Sequence, residues 1–190
     1  IMSKGKCIIL CAPSGSGKTT LVRHLLDQHD LNLIFSISAT TRKKRKDAEN
    51  GKDYHFFDVK EFIEKIDNED FLEYEEVYNE VFYGTLKDSV QDLLEDHNVI
   101  FDIDVEGGIK LKRIYEEAAL AVFVKPPSIK ELSNRLYFRN KDSKESIDIR
   151  LSKAKLELLK EKDFDEIIIN DNLKSAKTQA YNLVREFLDN

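Results

Sequence analysis

The segment "KCIILCAPSGSGKTTLVRHLLDQ", residues 6–28, constrains the fold of this chain more than any other. Its apolar start, residues 6–11, predicts a short buried strand, and its end, residues 20–28, predicts a helix. Between them, Gly15 and Gly17 allow the backbone to turn tightly. A strand, a glycine-rich turn and a helix in this order predict backbone N–H groups that converge on an anion at the helix N-terminus.

The turn matches the Walker A motif except at its first position. Gly17, Lys18 and Thr19 fill the last three required positions, whereas Ala12 replaces the first glycine. In this motif the lysine meets the β- and γ-phosphates and the hydroxyl residue binds Mg²⁺. The residues expected to bind a nucleoside triphosphate are Ala12, Pro13, Ser14, Gly15, Ser16, Gly17, Lys18, Thr19 and Thr20. The motif does not identify a second substrate.

Two acidic residues follow another apolar run, "VIFDID". Asp102 and Asp104 come at its end, and ligands of open α/β sheets bind at the carboxyl ends of strands. Carboxylates there are costly unless they meet a metal, a cation or ligand donors. We expect one of the two to act as a Walker B-like carboxylate near Mg²⁺.

Apolar runs alternate with helical patterns along the chain. Continuous apolar runs suit a parallel sheet that is covered on both faces; they occupy residues 6–11, 32–38, 98–104, 120–125 and 166–171. This alternation predicts an α/β fold, a P-loop NTPase-type parallel sheet core with helices on both faces. Two stretches interrupt the rhythm and are predicted insertions, 39–88 and 128–153. The core would then comprise residues 2–38, 89–127 and 154–190.

Composition limits the classes of function. The chain has 190 residues and a net charge of −6, which argues against a general nucleic-acid binder. No run approaches the roughly 18 apolar residues of a membrane span. The only cysteines, Cys7 and Cys11, would lie about 13 Å apart on a strand, too far for a disulfide. We expect reduced thiols, consistent with the cytoplasm.

A run of five basic residues, "RKKRK" at 42–46, stands out in this acidic chain. A targeting signal or nucleic-acid patch needs only charge, whereas a phosphate site needs guanidinium groups aimed at one dianion. Arg42 and Arg45 are three residues apart, so a tight turn could aim both at one phosphate. Ser38 precedes the run and Tyr54 follows it. The lysines of the run are expected to be solvated.

A second group of polar residues follows in "FLEYEEVYNEVFYGT". Glu73 stands in an apolar setting, where a lone carboxylate could accept two parallel hydrogen bonds. Guanine offers such a pair in its N1–H and 2-amino group. Tyr83 and Thr85 flank a turn predicted at Gly84.

Together these motifs resemble the guanylate kinase family of nucleoside monophosphate kinases. The matching segments run in family order over nearly the whole chain: "APSGSGKTTL", "SISATTRKKR", "GKDYHF", "FLEYEEV", "FYGT", "FDIDVEGG", "PPSIKELSNRL" and "IINDNL". The resemblance implies that 39–88 is a small mixed α/β GMP-binding insertion and that 128–153 is a helical lid.

The resemblance also implies roles for single residues. The GMP phosphate would be bound by Ser38, Arg42, Arg45, Tyr54 and Tyr83. The guanine edge would be read by Glu73, Thr85 and Asp104. Asp102 would lie near Mg²⁺ with Thr19, and Asn170 and Asp171 match a motif near the adenine of ATP. The implied catalytic residues are Lys18, Arg42 and the lid arginines Arg135, Arg139 and Arg150.

One position departs from the family pattern. The family usually has a glutamate three residues after the second site arginine, where this chain has Ala48 and then Glu49. Either the loop shifts and Glu49 substitutes, or this contact is absent.

The expected reaction is Mg²⁺-dependent transfer of the ATP γ-phosphoryl group to GMP, with dGMP also accepted. The expected partners are these small molecules, without nucleic acid or membrane, for a monomer or weak homo-oligomer in the cytoplasm. Three alternatives stay open: a related kinase for an acceptor such as a ribose bisphosphate, a non-catalytic guanylate-kinase-like module, and a nucleic-acid-binding P-loop protein.

Overall fold

The computed structural model describes residues 5–44, 46–78, 80–138 and 144–190. Five strands form the central sheet: β1 (Cys7–Cys11), β2 (Leu33–Phe35), β7 (Asn98–Ile103), β8 (Ala119–Lys125) and β9 (Glu166–Ile169). Their order across the sheet is β2-β7-β1-β8-β9, and every neighbouring pair is parallel. The carboxyl ends of β1 and β7 therefore lie side by side, which brings the glycine-rich turn next to the two aspartates.

Seven helices connect and cover the strands of the described chain: α1 (Lys18–Leu26), α2 (Val59–Asp67), α3 (Lys87–Asp96), α4 (Val105–Tyr115), α5 (Ile129–Phe138), α6 (Lys144–Leu158) and α7 (Leu173–Asp189). Successive side chains of β1 point to opposite faces. Ile8 and Leu10 pack in one apolar cluster with residues of α1 and α7. Ile9 packs in a second cluster with residues of α3 and α4. The predicted parallel sheet with helices on both faces is confirmed.

A second sheet lies outside this core. Its strands are β3 (Ala39–Thr40), β4 (His55–Phe56), β5 (Phe71–Tyr78) and β6 (Val81–Leu86). The order is β4-β3-β6-β5, with one parallel pair and two antiparallel pairs. Gly84 lies within β6 and pairs with Ala39 and Tyr74, so the turn predicted at Gly84 is wrong. Helix α2 packs on this sheet through Phe62, whose ring stacks on Phe71 at a centroid distance of 4.4 Å.

Helices α5 and α6 pack on each other through a small cluster of their own, which contains Leu132, Leu136, Ile147 and Ala154. Helix α6 continues to Leu158, beyond the lid boundary expected at residue 153, and the domain boundaries remain predictions. In the part of the chain that the structure describes, no helix has the length and apolar character needed to cross a membrane.

Candidate active site

The glycine-rich turn leads directly into α1. Gly15 and Gly17 both have φ of +93°, a left-handed conformation that favours glycine. A Cβ on Gly17 would also come within 2.3 Å of the side-chain nitrogen of Asn170. Ala12 is not among the residues with positive φ, so the missing first glycine costs the turn nothing.

Asn170 supports this turn from the end of β9. Its side chain is buried and its Nδ2 donates a 2.8 Å hydrogen bond to the backbone carbonyl of Ser16. Arg135 of α5 in turn donates from Nη2 to the backbone carbonyl of Asn170 at 3.0 Å, and from Nε to Glu131 at 3.0 Å. Asn170 is thus bonded directly to the turn, and Arg135 is connected to the turn through Asn170.

Lys18 and Thr19 meet Asp102 at the neighbouring strand ends. The Lys18 ammonium lies 2.8 Å from Asp102 Oδ1, and Thr19 donates a 2.8 Å hydrogen bond to Asp102 Oδ2. Lys18 also donates to the backbone carbonyl of Ile103. A hydroxyl and a carboxylate beside an anion cradle are the hard oxygen ligands that suit Mg²⁺, which commonly takes one or two protein ligands plus phosphates and water. These residues therefore fit a Mg²⁺–nucleotide complex.

Asp104 faces the second sheet instead. It is the N-cap residue of α4, and its Oδ1 accepts a 2.8 Å hydrogen bond from the backbone N–H of Gly107. Burial acts to raise the pKa of Asp104, but hydrogen bonds from Glu75 and Gly107 and the charges of Lys153 and Lys18 outweigh it, so the pKa is lowered. The two aspartates thus have separate surroundings, Asp102 beside Lys18 and Thr19 and Asp104 beside the acidic residues of β5.

Glu73 is a buried acid on β5, an edge strand of the second sheet. Thr85 lies opposite it across β5 and β6 and donates a 2.6 Å hydrogen bond to Glu73 Oε1. Burial raises the pKa of Glu73 to about 7, although the Thr85 hydrogen bond opposes that shift. A Cβ on Gly107 would lie 2.9 Å from Glu73 Oε2, so the glycine leaves room for the carboxylate.

Arg42 and two tyrosines lie on the same side of this sheet. The Arg42 guanidinium stacks over the Tyr54 ring at 5.2 Å, and Tyr54 meets Tyr83 edge-on at 5.9 Å. The Nε of Arg42 is buried and has no hydrogen-bond partner among the described residues. A buried guanidinium nitrogen without an acceptor is costly, and a bound anion would offset this cost.

Other residues of the basic run have different surroundings. Lys43, Lys44 and Lys46 are exposed, in agreement with the expected solvated face. Glu49 is also exposed, and its carboxylate pairs with Lys52 at 3.1 Å. Two predicted site residues, Arg45 and Arg139, lie outside the described residues.

An open cleft of about 540 Å³ unites most of the predicted residues. Those that line it are Ala12, Pro13, Ser14, Gly15, Ser16, Gly17, Lys18, Thr19, Thr20, Ser38, Tyr54, Glu73, Tyr83, Asp102, Asp104 and Arg150. Four more predicted residues lie just behind the residues that line the cleft. Arg42, Thr85 and Asn170 contact lining residues, and Arg135 contacts Asn170.

Seven further residues line the cleft and were not predicted from the sequence as site residues: Glu75, Val77, Gly84, Ile103, Ile149, Lys153 and Glu157. Two signals were available for four of them. Glu75 and Val77 share the alternation of Glu73 along β5, and Lys153 and Glu157 follow Arg150 at helical spacing on α6.

Comparisons with known proteins agree with this site. The family model described as guanylate kinase matches residues 4–189. A guanylate kinase of Bacteroides thetaiotaomicron is 49% identical over 97% of this chain and 91% of that protein. One of Porphyromonas gingivalis is 45% identical over 96% of this chain and 98% of that protein.

A solved structure is similar over the whole fold. The crystal structure of guanylate kinase from Anaplasma phagocytophilum has a TM-score of 0.78 and 28% identity, and the match covers 99% of this chain and 88% of that one. The resemblance that the motifs indicated is thereby confirmed: the chain belongs to the guanylate kinase family.

Proposed function

We propose that this cleft transfers the γ-phosphoryl group of ATP to GMP, giving ADP and GDP, and that dGMP is also an acceptor. As a member of the guanylate kinase family, the chain is an enzyme, a kinase that transfers phosphate to GMP. The observation that carries the finer proposal is the pairing of two sites in one cleft. Lys18 and Thr19 of the glycine-rich turn and the buried carboxylate of Glu73 line the same cleft.

On the ATP side, the turn and the start of α1 would hold the phosphates. The backbone N–H groups and the positive end of the α1 dipole favour negative charge there. The Lys18 ammonium would move partly away from Asp102 and contact the γ-phosphoryl oxygens. Thr19 and Asp102 would hold Mg²⁺, which when bound supplies positive charge that offsets the charge of the transferring group.

On the acceptor side, Arg42 would bind the GMP phosphate, with Ser38, Tyr54 and Tyr83 donating hydroxyl hydrogen bonds. Arg45 is proposed for the same phosphate from the sequence pattern alone. Glu73 would accept hydrogen bonds from guanine N1–H and the 2-amino group, oriented by Thr85 and assisted by Asp104. A site built with buried acceptors rejects bases that lack matching donors, because its polar groups would be left unpaired.

Catalysis then requires position and charge rather than a covalent intermediate. Phosphoryl transfer gains most from holding donor and acceptor in line and from neutralising the oxygens of the transferred group. Lys18 would supply this charge from the turn, and Arg150 from α6. Arg135 and Arg139 are proposed to join when the lid closes. Closure would also exclude water and so limit ATP hydrolysis.

The alternatives explain the cleft less well. A sugar-phosphate acceptor needs neither the buried carboxylate of Glu73 nor its hydrogen bond from Thr85. A non-catalytic module needs no intact Lys18, Thr19 and Asp102 cluster.

A cytoplasmic location fits the two cysteines, which are both buried and free. A monomer or weak homo-oligomer acting on small molecules stays our prediction.

A panel of acceptors tests the proposed function. ADP formation from ATP and Mg²⁺ would be measured with GMP, dGMP, AMP, UMP, CMP and ribose 1,5-bisphosphate. We expect rapid ADP formation with GMP and dGMP and little above background with the other four. ADP formation that does not depend on GMP, or that is faster with ribose 1,5-bisphosphate, would refute the proposal.

A further inference from the structure

Glu75 lines the cleft, and the proposed reaction assigns it no role. It follows Glu73 by two residues on β5, so both side chains point to the same face, and both line the cleft. Across the sheet, Glu75 lies opposite Tyr83. A hydrogen bond between its carboxyl group and Asp104 raises the pKa of Glu75, and burial raises this pKa further.

A lysine from a different part of the molecule pairs with Glu75. Lys153 of α6 has its ammonium 3.9 Å from Glu75 Oε1 and 3.9 Å from Glu157 Oε1. Glu157 is a neighbour on the same helix, whereas Glu75 belongs to the second sheet. The Lys153 side chain is half-exposed, while those of Glu75 and Glu157 are largely covered. Lys153 therefore links α6 to the sheet that carries Glu73.

Charge makes this link more than an incidental contact. The negative charge of Asp104 adds to the rise in the pKa of both Glu73 and Glu75, because a nearby like charge disfavours ionisation. Lys153 lowers the pKa of Glu75, of Asp104 and of Glu157. The positive charge of Lys153, 3.9 Å from Glu75 Oε1, therefore favours a position of α6 close to β5.

The same helix carries a group for the other substrate. Arg150 precedes Lys153 by three residues, which puts both on one side of α6, and both line the cleft. A position of α6 that brings Lys153 to Glu75 therefore also brings Arg150 over the cleft.

We propose that Lys153 and Glu75 are positioning residues for GMP, which anchor α6 on the second sheet beside Asp104. This inference rests on the proposed function. Binding of the guanine base and approach of α6 would favour each other, because both depend on the same group of carboxylates. Neither residue needs to touch the reacting phosphoryl group.

A double-mutant cycle tests this pairing. Lys153→Met keeps most of the side-chain length and removes the charge, and Glu75→Gln keeps hydrogen-bonding capacity and removes the charge. An ion pair of this exposure supports a change of up to about fivefold, so we expect the KM for GMP to rise about three- to fivefold in each single variant. The KM for GMP of the double variant should be no higher than that of the more impaired single variant. In all three variants, kcat and the KM for ATP should change less than about twofold.

Matched controls separate this effect from a general loss of charge. Lys155→Met removes an exposed lysine that lies two residues after Lys153 on α6. Its side chain is about 200° around the helix from that of Lys153. Glu76→Gln changes an exposed acid on the opposite face of β5. Both should leave the KM for GMP unchanged, and Lys153→Arg should retain the wild-type value because it keeps the cation.

Three outcomes would count against the inference. Single effects that multiply in the double variant would show that the two residues act independently. A Lys153→Arg variant as impaired as Lys153→Met, or no effect of either single change, would also overturn the pairing. If the wild-type protein formed no GDP, both the proposed function and this inference would fail. If the wild type formed GDP but the effects of the two substitutions on the KM for GMP multiplied in the double variant, only this inference would fail.

Discussion

The Thr85 hydroxyl donates a 2.6 Å hydrogen bond to Glu73 Oε1, and both residues are buried. The two lie directly opposite each other on β5 and β6. The bond fixes one oxygen of the carboxylate and leaves the other beside Gly107. A carboxylate held in this way is ready to accept further hydrogen bonds, but it costs free energy to keep it ionised in a buried place.

This cost leads to a prediction about pH and stability. Because burial raises the pKa of Glu73 to about 7 in the folded protein, above its ordinary unfolded value, folding favours the protonated form. The contribution to stability is full below the unfolded pKa and is lost as pH rises through about 7. Glu73→Gln should remove this loss and reduce the fall in unfolding free energy between pH 5 and pH 8 by about 1–3 kcal/mol.

Urea unfolding at the two pH values measures the effect. Glu64→Gln serves as control, since it removes an exposed acid on α2 and leaves the buried Glu73 in place. An equal fall in stability for wild type and Glu73→Gln would show that Glu73 does not titrate in this range. In activity assays the same variant should lose its preference for GMP over AMP.

Arg42 gives a prediction about the acceptor alone. Its Nε is buried without a partner in the described residues, and its guanidinium is held over Tyr54. Both Arg42→Ala and Arg42→Lys should raise the KM for GMP about 10- to 100-fold, because a charge-assisted hydrogen bond is lost. Lysine cannot replace the planar fork. Steady-state kinetics should show the KM for ATP nearly unchanged.

The exposed neighbour supplies a control for this change. Lys44→Met removes a charge from the same loop, where the side chain is solvated, and should leave the KM for GMP within about twofold of wild type. Unchanged saturation by GMP in Arg42→Ala would mean that the acceptor phosphate binds elsewhere.

Asn170 provides a prediction about the ATP side. Its side chain donates to the Ser16 carbonyl from a buried position, so Asn170→Ala leaves that carbonyl unpaired. We expect a loss of about 1–2 kcal/mol in unfolding free energy. If the turn is also less well held, the KM for ATP should rise about fivefold, which corresponds to about 1 kcal/mol.

Thermal or urea unfolding and ATP saturation curves check this together. Gln179→Ala, an exposed change on α7, is the control. An Asn170→Ala variant with normal stability and a selective loss of ATP affinity would instead support direct contact with the nucleotide, as the sequence pattern suggested.

Local patterns predicted much of this molecule and missed what depends on distant contacts. The turn from Ala12 to Thr20 was predictable because its glycines, Lys18 and Thr19 are adjacent in sequence. The parallel core was predictable because its central strands β1, β7 and β8 are largely buried on both faces and so read as apolar runs. Strand β2 is shorter than its apolar run, since it ends at Phe35 before the chain passes to the second sheet.

The missed contacts have a common physical cause. Asn170 and Ser16 are 154 positions apart, and nothing in either segment indicates that one supports the other. The contact of Glu75 with Lys153 depends on how far α6 approaches β5, and on the irregular register between β5 and β6 near Glu76. Alternation indicates which face a side chain takes, but not which residue of another element it meets.

The most direct test of the account is to follow the phosphoryl group itself. Wild-type protein would be incubated with Mg²⁺, GMP and ATP labelled in the γ-phosphate, and the labelled products would be separated and counted. The account predicts label in the β-phosphate of GDP in one-to-one amount with ADP, and almost none in inorganic phosphate. Label that stays in ATP, or that appears only in inorganic phosphate, would contradict it.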